Sequence, residues 1–227
     1  MSRELFLERV RRAVRQGQAY RVHVSPAPAG TGYVGATGDL CEVLAREIEE
    51  VGGQAYVVAD YAAAREFVAR LLRDEQVTSA LCWRHAVLEQ LGLDSLLAEL
   101  GIERHDYESL SALALSQQRR VQLACDVGIT SVERAIAETG SLMMWHGPGR
   151  ERIASLLPPL HLALVHRSQI VPDLFDAMGL LIDRGAGNLP SNVTLITGPS
   201  KTGDIEQQLT TGVHGPGKWR VVIVRGE

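Results

Sequence analysis

Aromatic residues make up only 5% of this 227-residue chain, cysteine occurs three times, and only Lys201 and Lys218 stand among 23 basic residues that are otherwise arginine. Cys41, Cys82 and Cys125 are odd in number and about forty residues apart, which fits neither a disulfide framework nor the close spacings of zinc or iron–sulfur sites. They are expected to be reduced, buried thiols. No apolar run reaches the roughly 18 residues that span a bilayer, so no membrane span is expected. The start, Met1-Ser2-Arg3-Glu4-Leu5-Phe6, runs into an amphipathic helix with acidic residues, unlike a signal peptide, and a cytoplasmic location is expected. The net charge is -4 and the basic residues are scattered, so nucleic acid and acidic membranes are not expected partners. Neither a Gly-x-Ser-x-Gly elbow nor a His-Glu-x-x-His motif occurs, and no metal site is expected.

What is present is a globular composition, 45% hydrophobic and 22% charged, enough for one large domain with a small appendage. The division expected is an N-terminal helix and Gly/Pro-rich loop over residues 1–38, followed by an α/β domain over 39–227. Phe6, Val10, Ala13 and Val14 recur at helical spacing, with Arg9, Arg11, Arg12 and Arg15 on the remaining face, either solvated or meeting a partner. Residues 20–38 hold Pro26, Pro28, Gly30, Gly32, Gly35 and Gly38 and read as a lid, an interface arm or a passive linker. From Leu40 a helical stripe ends at Gly52-Gly53, and Ala55–Ala59 suits a buried strand. Asp60 caps a second helix, and Val77–Trp83 suits a second strand. Parallel neighbours need crossover helices and are buried on both faces, so this alternation predicts an α/β fold with a mostly parallel sheet flanked by helices. Short helices are expected from His85 to Leu115, one of them capped by Asp94, with His85 and His105 on the surface. Val121–Thr130 and Ala135–Trp145 are apolar, the second containing either a hairpin at Thr139-Gly140 or a helix over Ser131–Ala137. Leu160–His166, Thr194–Ile196 and Trp219–Val224 read as further strands. His161 and His166, five apart, face opposite sides of theirs and do not share a metal.

The stretch Thr197-Gly198-Pro199-Ser200-Lys201-Thr202-Gly203-Asp204-Ile205-Glu206 reads as a strand feeding a Gly/Pro turn and then a helix begun near Asp204. Unpartnered N–H groups at such a helix start, with Ser200, Lys201 and Thr202, would cradle an anion, while Asp204 and Glu206 complement the helix dipole. The alternative is a well-capped turn. A Walker A loop is excluded because its first glycine is missing. Gly30-Thr31-Gly32-Tyr33-Val34-Gly35, with Asp60 as a ribose-binding acid, matches a dinucleotide string in a poor context of prolines. Glu138 lies in apolar company, as either a general base or an acceptor of local backbone N–H groups. His214, between glycines and a proline, either donates to a ligand or braces its loop. Together these segments suggest one crevice for a small carboxylate or phosphorylated compound.

Asp126-Val127-Gly128-Ile129-Thr130, Ala137-Glu138-Thr139-Gly140-Ser141, Leu157-Pro158-Pro159, Thr197–Glu206 and Gly212-Val213-His214-Gly215-Pro216 resemble, in order and spacing, the lactate utilization protein C (LutC/YkgG) family, built on the LUD domain. The resemblance implies a fold similar to the NagB/RpiA/CoA-transferase group. It also implies a role with two iron–sulfur partner proteins in oxidising L-lactate to pyruvate. This chain then carries no cofactor, an iron–sulfur or flavin group sits on partner subunits, and its own task is to bind substrate, dock the partners or regulate them. The candidate site comprises Glu138 and His214 as catalytic groups and Thr139, Gly140, Gly198, Ser200, Lys201, Thr202, Asp204 and Glu206 as ligand contacts. A free-standing isomerase or transferase acting on a sugar phosphate or acyl-CoA is the alternative, with a structural scaffold as a third reading.

Overall fold

Asp39 and Asp60 each stand before a helical stripe, and each accepts a backbone N–H from the first turn: Cys41 at 3.0 Å and Ala63 at 2.8 Å. The computed structural model describes residues 2–18, 33–203 and 209–226. The chain divides into two units, Met1–Val34 and Gly35–Glu227. In the first unit the described residues include helix α1 (Arg3–Gln18), with Leu5, Phe6, Val10 and Val14 exposed. The second unit runs α2 (Leu40–Glu50), β1 (Gln54–Val58), α3 (Tyr61–Asp74), β2 (Ser79–Cys82), α4 (Ala86–Gln90), α5 (Leu93–Glu99), β3 (Glu103–His105), α6 (Tyr107–Ser111), α7 (Leu115–Ala124) and β4 (Val127–Thr130). It continues with β5 (Arg134–Ile136), β6 (Ser141–His146), α8 (Ile153–Leu156), β7 (Leu160–His166), β8 (Ile170–Val171), α9 (Leu174–Arg184), β9 (Asn192–Ile196), β10 (Lys201–Gly203), β11 (Leu209–Thr211) and β12 (Lys218–Val224). Gly30 and Gly32 of the dinucleotide string lie outside the described residues, as does most of the 20–38 loop. The Asp60 carboxylate serves as a helix cap.

The central sheet has six parallel strands in the order β1-β12-β7-β4-β2-β3, as the alternating pattern predicts. Both faces are buried. Leu160, Leu162, Leu164, Val222 and Val224 point into one core with α3 and α5, while Ala163, Val165, Trp219, Val221 and Ile223 point into another with α2. That second core is shared with a four-stranded sheet ordered β8-β5-β6-β9. Within it β5 and β6 form the antiparallel hairpin, joined by one 3-10 turn at Ala137–Thr139, so Ser131–Ala137 is not a helix. Asp126 accepts N–H groups from Thr78 (2.8 Å) and Ser79 (3.0 Å), tying the starts of β2 and β4 together.

Several local expectations give way to the structure. Val121–Ala124 belongs to helix α7, which has no buried residue, so an exposed helix has no apolar stripe to announce it. Gly92, at φ 68°, precedes α5 where Asp94 was expected as cap; Asp94 instead sits in the first turn and pairs with Arg104 at 2.8 Å. His85 is half-buried and caps α4, its Nδ1 accepting the Val87 N–H at 3.2 Å. The His105 side chain is also largely covered, at 12% exposure. Lys201–Gly203 is a strand paired antiparallel with Leu209–Thr211, and the helix expected to begin at Asp204 falls outside the described residues. Asp204 and Glu206 lie outside the described residues.

Gly128 sits directly beside α8. A Cβ there would lie 1.6 Å from the Ala154 carbonyl oxygen, so the helix rests backbone-on-backbone against β4. Gly128→Ala is expected to cost about 3 kcal/mol or more, a fall in Tm of roughly 6–12 °C measurable by calorimetry. Burial also holds three histidines neutral: His85 is pushed down to about 4, His161 to about 3, and His146 below its ordinary value. The unfolded chain takes up protons at these groups below about pH 6.5, so their contribution is complete above that pH and is lost as pH falls toward 4. Tm is therefore expected to be flat from about pH 8 to 7 and to decline from about pH 6.5 to 4.5. A flat profile throughout would contradict the buried neutral histidines.

Candidate functional site

Two of the sequence motifs press against the last turn of α2. Gly140, at φ 64°, would place a Cβ 2.6 Å from the Glu47 carbonyl carbon. Gly198, at φ 86°, would place one 2.7 Å from the Val51 carbonyl oxygen. Only glycine meets both the left-handed backbone and the close approach. Lys201 Nζ donates to the same Val51 carbonyl at 2.7 Å, placing a cation at the negative end of the helix. Thr139 Oγ1 donates to Ser141 Oγ at 2.8 Å, and Ser141 Oγ meets Thr197 Oγ1 at 2.7 Å, so a short hydroxyl chain joins the two motifs.

Beyond Gly198 the chain turns over a cavity between the central sheet and β9. The Ser200 N–H donates to the Pro216 carbonyl, and the Gly212 N–H to the Ser200 carbonyl, both at 2.9 Å, so the 198–200 and 212–216 loops are laced into one roof. The cavity encloses about 250 Å³ and is lined by Ser155, His161, Thr194, Ser200, His214 and Trp219, with Gly198 and Pro199. Its floor comes from the central strands. His161 on β7 and Trp219 on β12 are partners in register and share one face of the sheet. His161 Nε2 lies 2.8 Å from Thr130 Oγ1, while His161 Nδ1 and Trp219 Nε1 are buried with no hydrogen-bond partner among the described residues. A buried donor left unpaired costs about 1–3 kcal/mol, so the Trp219 indole N–H calls for an acceptor there, while His161 Nδ1 is a donor or an acceptor according to its tautomer. Burial keeps His161 neutral, with its pKa near 3, so neither ring brings a formal charge.

Of the candidate residues, Gly198, Ser200 and His214 come together at this cavity, with His214 exposed at its rim. Others do not. Glu138 is half-buried, and its Oε1 accepts the Leu174 N–H at 3.1 Å at the start of α9, beside the N-cap Asp173. It is absent from the cavity lining, so the single crevice joining Glu138 to Ser200 and His214 is not formed. Thr139 is exposed, and Gly140 is taken up by the α2 contact. Thr202 faces Thr210 in the β10–β11 pair. Two groups of the expected anion cradle are engaged within the protein, Lys201 on the Val51 carbonyl and the Ser200 N–H on the Pro216 carbonyl. His161 and Trp219 escaped sequence reasoning as ligand contacts because only the β7–β12 register makes neighbours of them. The one available signal is a histidine between Leu160 and Leu162 in an otherwise apolar strand.

A second cleft, about 540 Å³, opens near the ends of β2 and β3 beside Trp83, Arg84, His85, Asp94 and Arg104. Its guanidinium groups are paired within the protein. Arg84 holds Asp106 at 3.1 Å and Glu108 at 2.7 Å, and Arg104 holds Asp94 and Asp106, each at 2.8 Å. The cleft thus offers little unspent charge, and the smaller cavity is the better candidate site. Among the described residues no helix is long and apolar enough to cross a membrane.

The sequence model of the LUD domain matches residues 41–224. Lactate utilization protein C of Halalkalibacterium halodurans is 30% identical over 159 residues, covering 69% of this chain and 67% of that protein. Lactate utilization protein C of a Geobacillus species is 29% identical over 232 residues, covering 98% and 95%. Among solved structures, a DUF162 family protein from Deinococcus radiodurans superposes with a TM-score of 0.58 at 19% identity, over 82% of this chain and 96% of that one, a likeness of fold. From the glycine-bearing motifs through the parallel sheet to these relatives, the chain belongs to the LUD domain family, among proteins named lactate utilization protein C.

Proposed function

We propose that this chain serves lactate utilization as a non-redox subunit that binds a small carboxylate, lactate or pyruvate, beside iron–sulfur partner subunits. The observation that carries the reading is the cavity roofed by the Gly198–Ser200 and Gly212–Pro216 motifs. At about 250 Å³ it lies below the roughly 300–1,000 Å³ usual for drug-sized ligands, and so suits a ligand of few atoms over a flavin, a nucleotide or an acyl-CoA. The names of the relatives supply the substrate class. Glu138, the base on which a free-standing isomerase or transferase would rely, is engaged at the start of α9.

Electron transfer falls to the partners in this reading. The three thiols are free and buried, and burial pushes Cys82 up to about 12 and Cys125 to about 11, which keeps both protonated at neutral pH. An iron–sulfur or flavin group then belongs on a partner subunit, and this chain presents or retains the acid.

Deletion of the gene is expected to abolish growth on L-lactate while leaving growth on glucose intact, with a plasmid copy restoring it. The purified protein alone is expected to bind lactate or pyruvate in calorimetric titration without consuming lactate. Unimpaired growth of the deletion strain would sink the role in lactate utilization.

A further inference from the structure

We infer that Trp219 Nε1 and His161 Nδ1 form a neutral two-point clamp for the carboxylate of the bound acid, with Thr130 setting the His161 tautomer. The inference rests on the small-carboxylate reading and names the groups that would do the holding. Both side chains line one cavity, and both carry a buried nitrogen without a partner among the described residues. An indole nitrogen only donates, so whatever fills the space beside Trp219 must present an acceptor. The neutral His161 ring carries a single proton. The Thr130 hydroxyl, 2.8 Å from Nε2, can donate there and leave that proton on Nδ1. The two residues are register partners on hydrogen-bonded parallel strands about 4.8 Å apart, so their side chains stand side by side on one face of the sheet.

The same lining describes the rest of the ligand. Among the described residues, those around the cavity include no Lys, Arg, Asp or Glu, so recognition there is by hydrogen bonding. The hydroxyls of Ser200 and Thr194 stand in the walls, and both donate and accept. The ligand class is a short 2-hydroxy or 2-oxo monocarboxylate, its carboxylate on the floor nitrogens and its 2-oxygen toward the wall hydroxyls. An aliphatic acid lacking the 2-oxygen keeps the clamp and loses the wall.

The full chain is titrated calorimetrically with L-lactate, pyruvate and propionate, and three variants follow. Trp219→Phe keeps a large ring and removes the N–H; His161→Gln presents a donor near the Nε2 position; His161→Asn presents one near Nδ1. Trp219→Phe and His161→Gln are expected to weaken lactate about tenfold or more, and His161→Asn less, with propionate weaker than lactate in the wild type. Thermal melts separate folding from binding. Measured from the variant's own ligand-free Tm, the lactate-induced rise of Trp219→Phe is expected to be smaller than that of the wild type. As a measurement that needs no variant to bind, the indole N–H resonances of the wild type are followed by NMR, the Trp219 signal being the one missing from Trp219→Phe spectra. It is expected to shift on adding lactate. Lactate binding with wild-type affinity in both Trp219→Phe and His161→Gln overturns the clamp and leaves the carboxylate reading standing. Absence of lactate and pyruvate binding by the wild type overturns both, and an indole signal that stays in place while lactate binds overturns the clamp alone.

Discussion

Backbone meets backbone at the last turn of α2, and the candidate site depends on that approach. Gly140 lies against the Glu47–Ile48 peptide, Gly198 against the Val51 carbonyl, and Gly53 beside the indole of Trp219. Three otherwise separate pieces thus use one helix end as a common reference: the β5–β6 hairpin, the loop leaving β9, and the strand that carries the tryptophan. Side chains at these glycines would force the pieces apart, and the cavity lies where they converge. Lys201 completes the arrangement by neutralising the helix end.

Charge and hydrogen bonding are divided between two regions of the domain. At the ends of β2 and β3, arginines and carboxylates close on one another, and the buried Asp106 is satisfied by Arg84, Arg104 and the Ser109 N–H. On the neighbouring strands β7 and β12, the floor of the cavity holds aromatic nitrogens, and none of its described lining residues forms a salt bridge. An ion network that is already balanced stabilises structure and leaves little for a ligand, whereas an unspent donor in an apolar wall favours the ligand that completes it. Cavity size alone would rank the two regions the other way.

The parallel sheet was legible because Ala55–Ala59, Val77–Trp83, Leu160–Val165 and Trp219–Val224 are short apolar runs separated by helical stripes. The caps Asp39 and Asp60 were legible for the same local reason. Helix α7 was not, since it buries nothing and so shows no stripe. Ser, Lys and Thr after a Gly-Pro turn suit a helix approach and a hairpin strand equally, and pairing with Leu209–Thr211 makes Lys201–Gly203 a strand, the helix expected from Asp204 falling outside the described residues. Gly198, Ser200 and His214 were found from turn chemistry, and their lacing into one roof follows from two backbone hydrogen bonds. Glu138 was read as a possible base from its apolar neighbours, and only the three-dimensional position of α9 reveals the N–H group it serves.

His161 and Trp219 stand on β7 and β12, strands paired on both sides within the central sheet, while the segments above them are loops. Amide exchange at the floor therefore requires opening of the whole domain, and exchange at the roof requires only the release of a few loop hydrogen bonds. In the proposed reading a ligand would enter and leave through the roof without disturbing the groups beneath it, so its residence time would follow the Gly198–Ser200 and Gly212–Pro216 segments and its selectivity the strands.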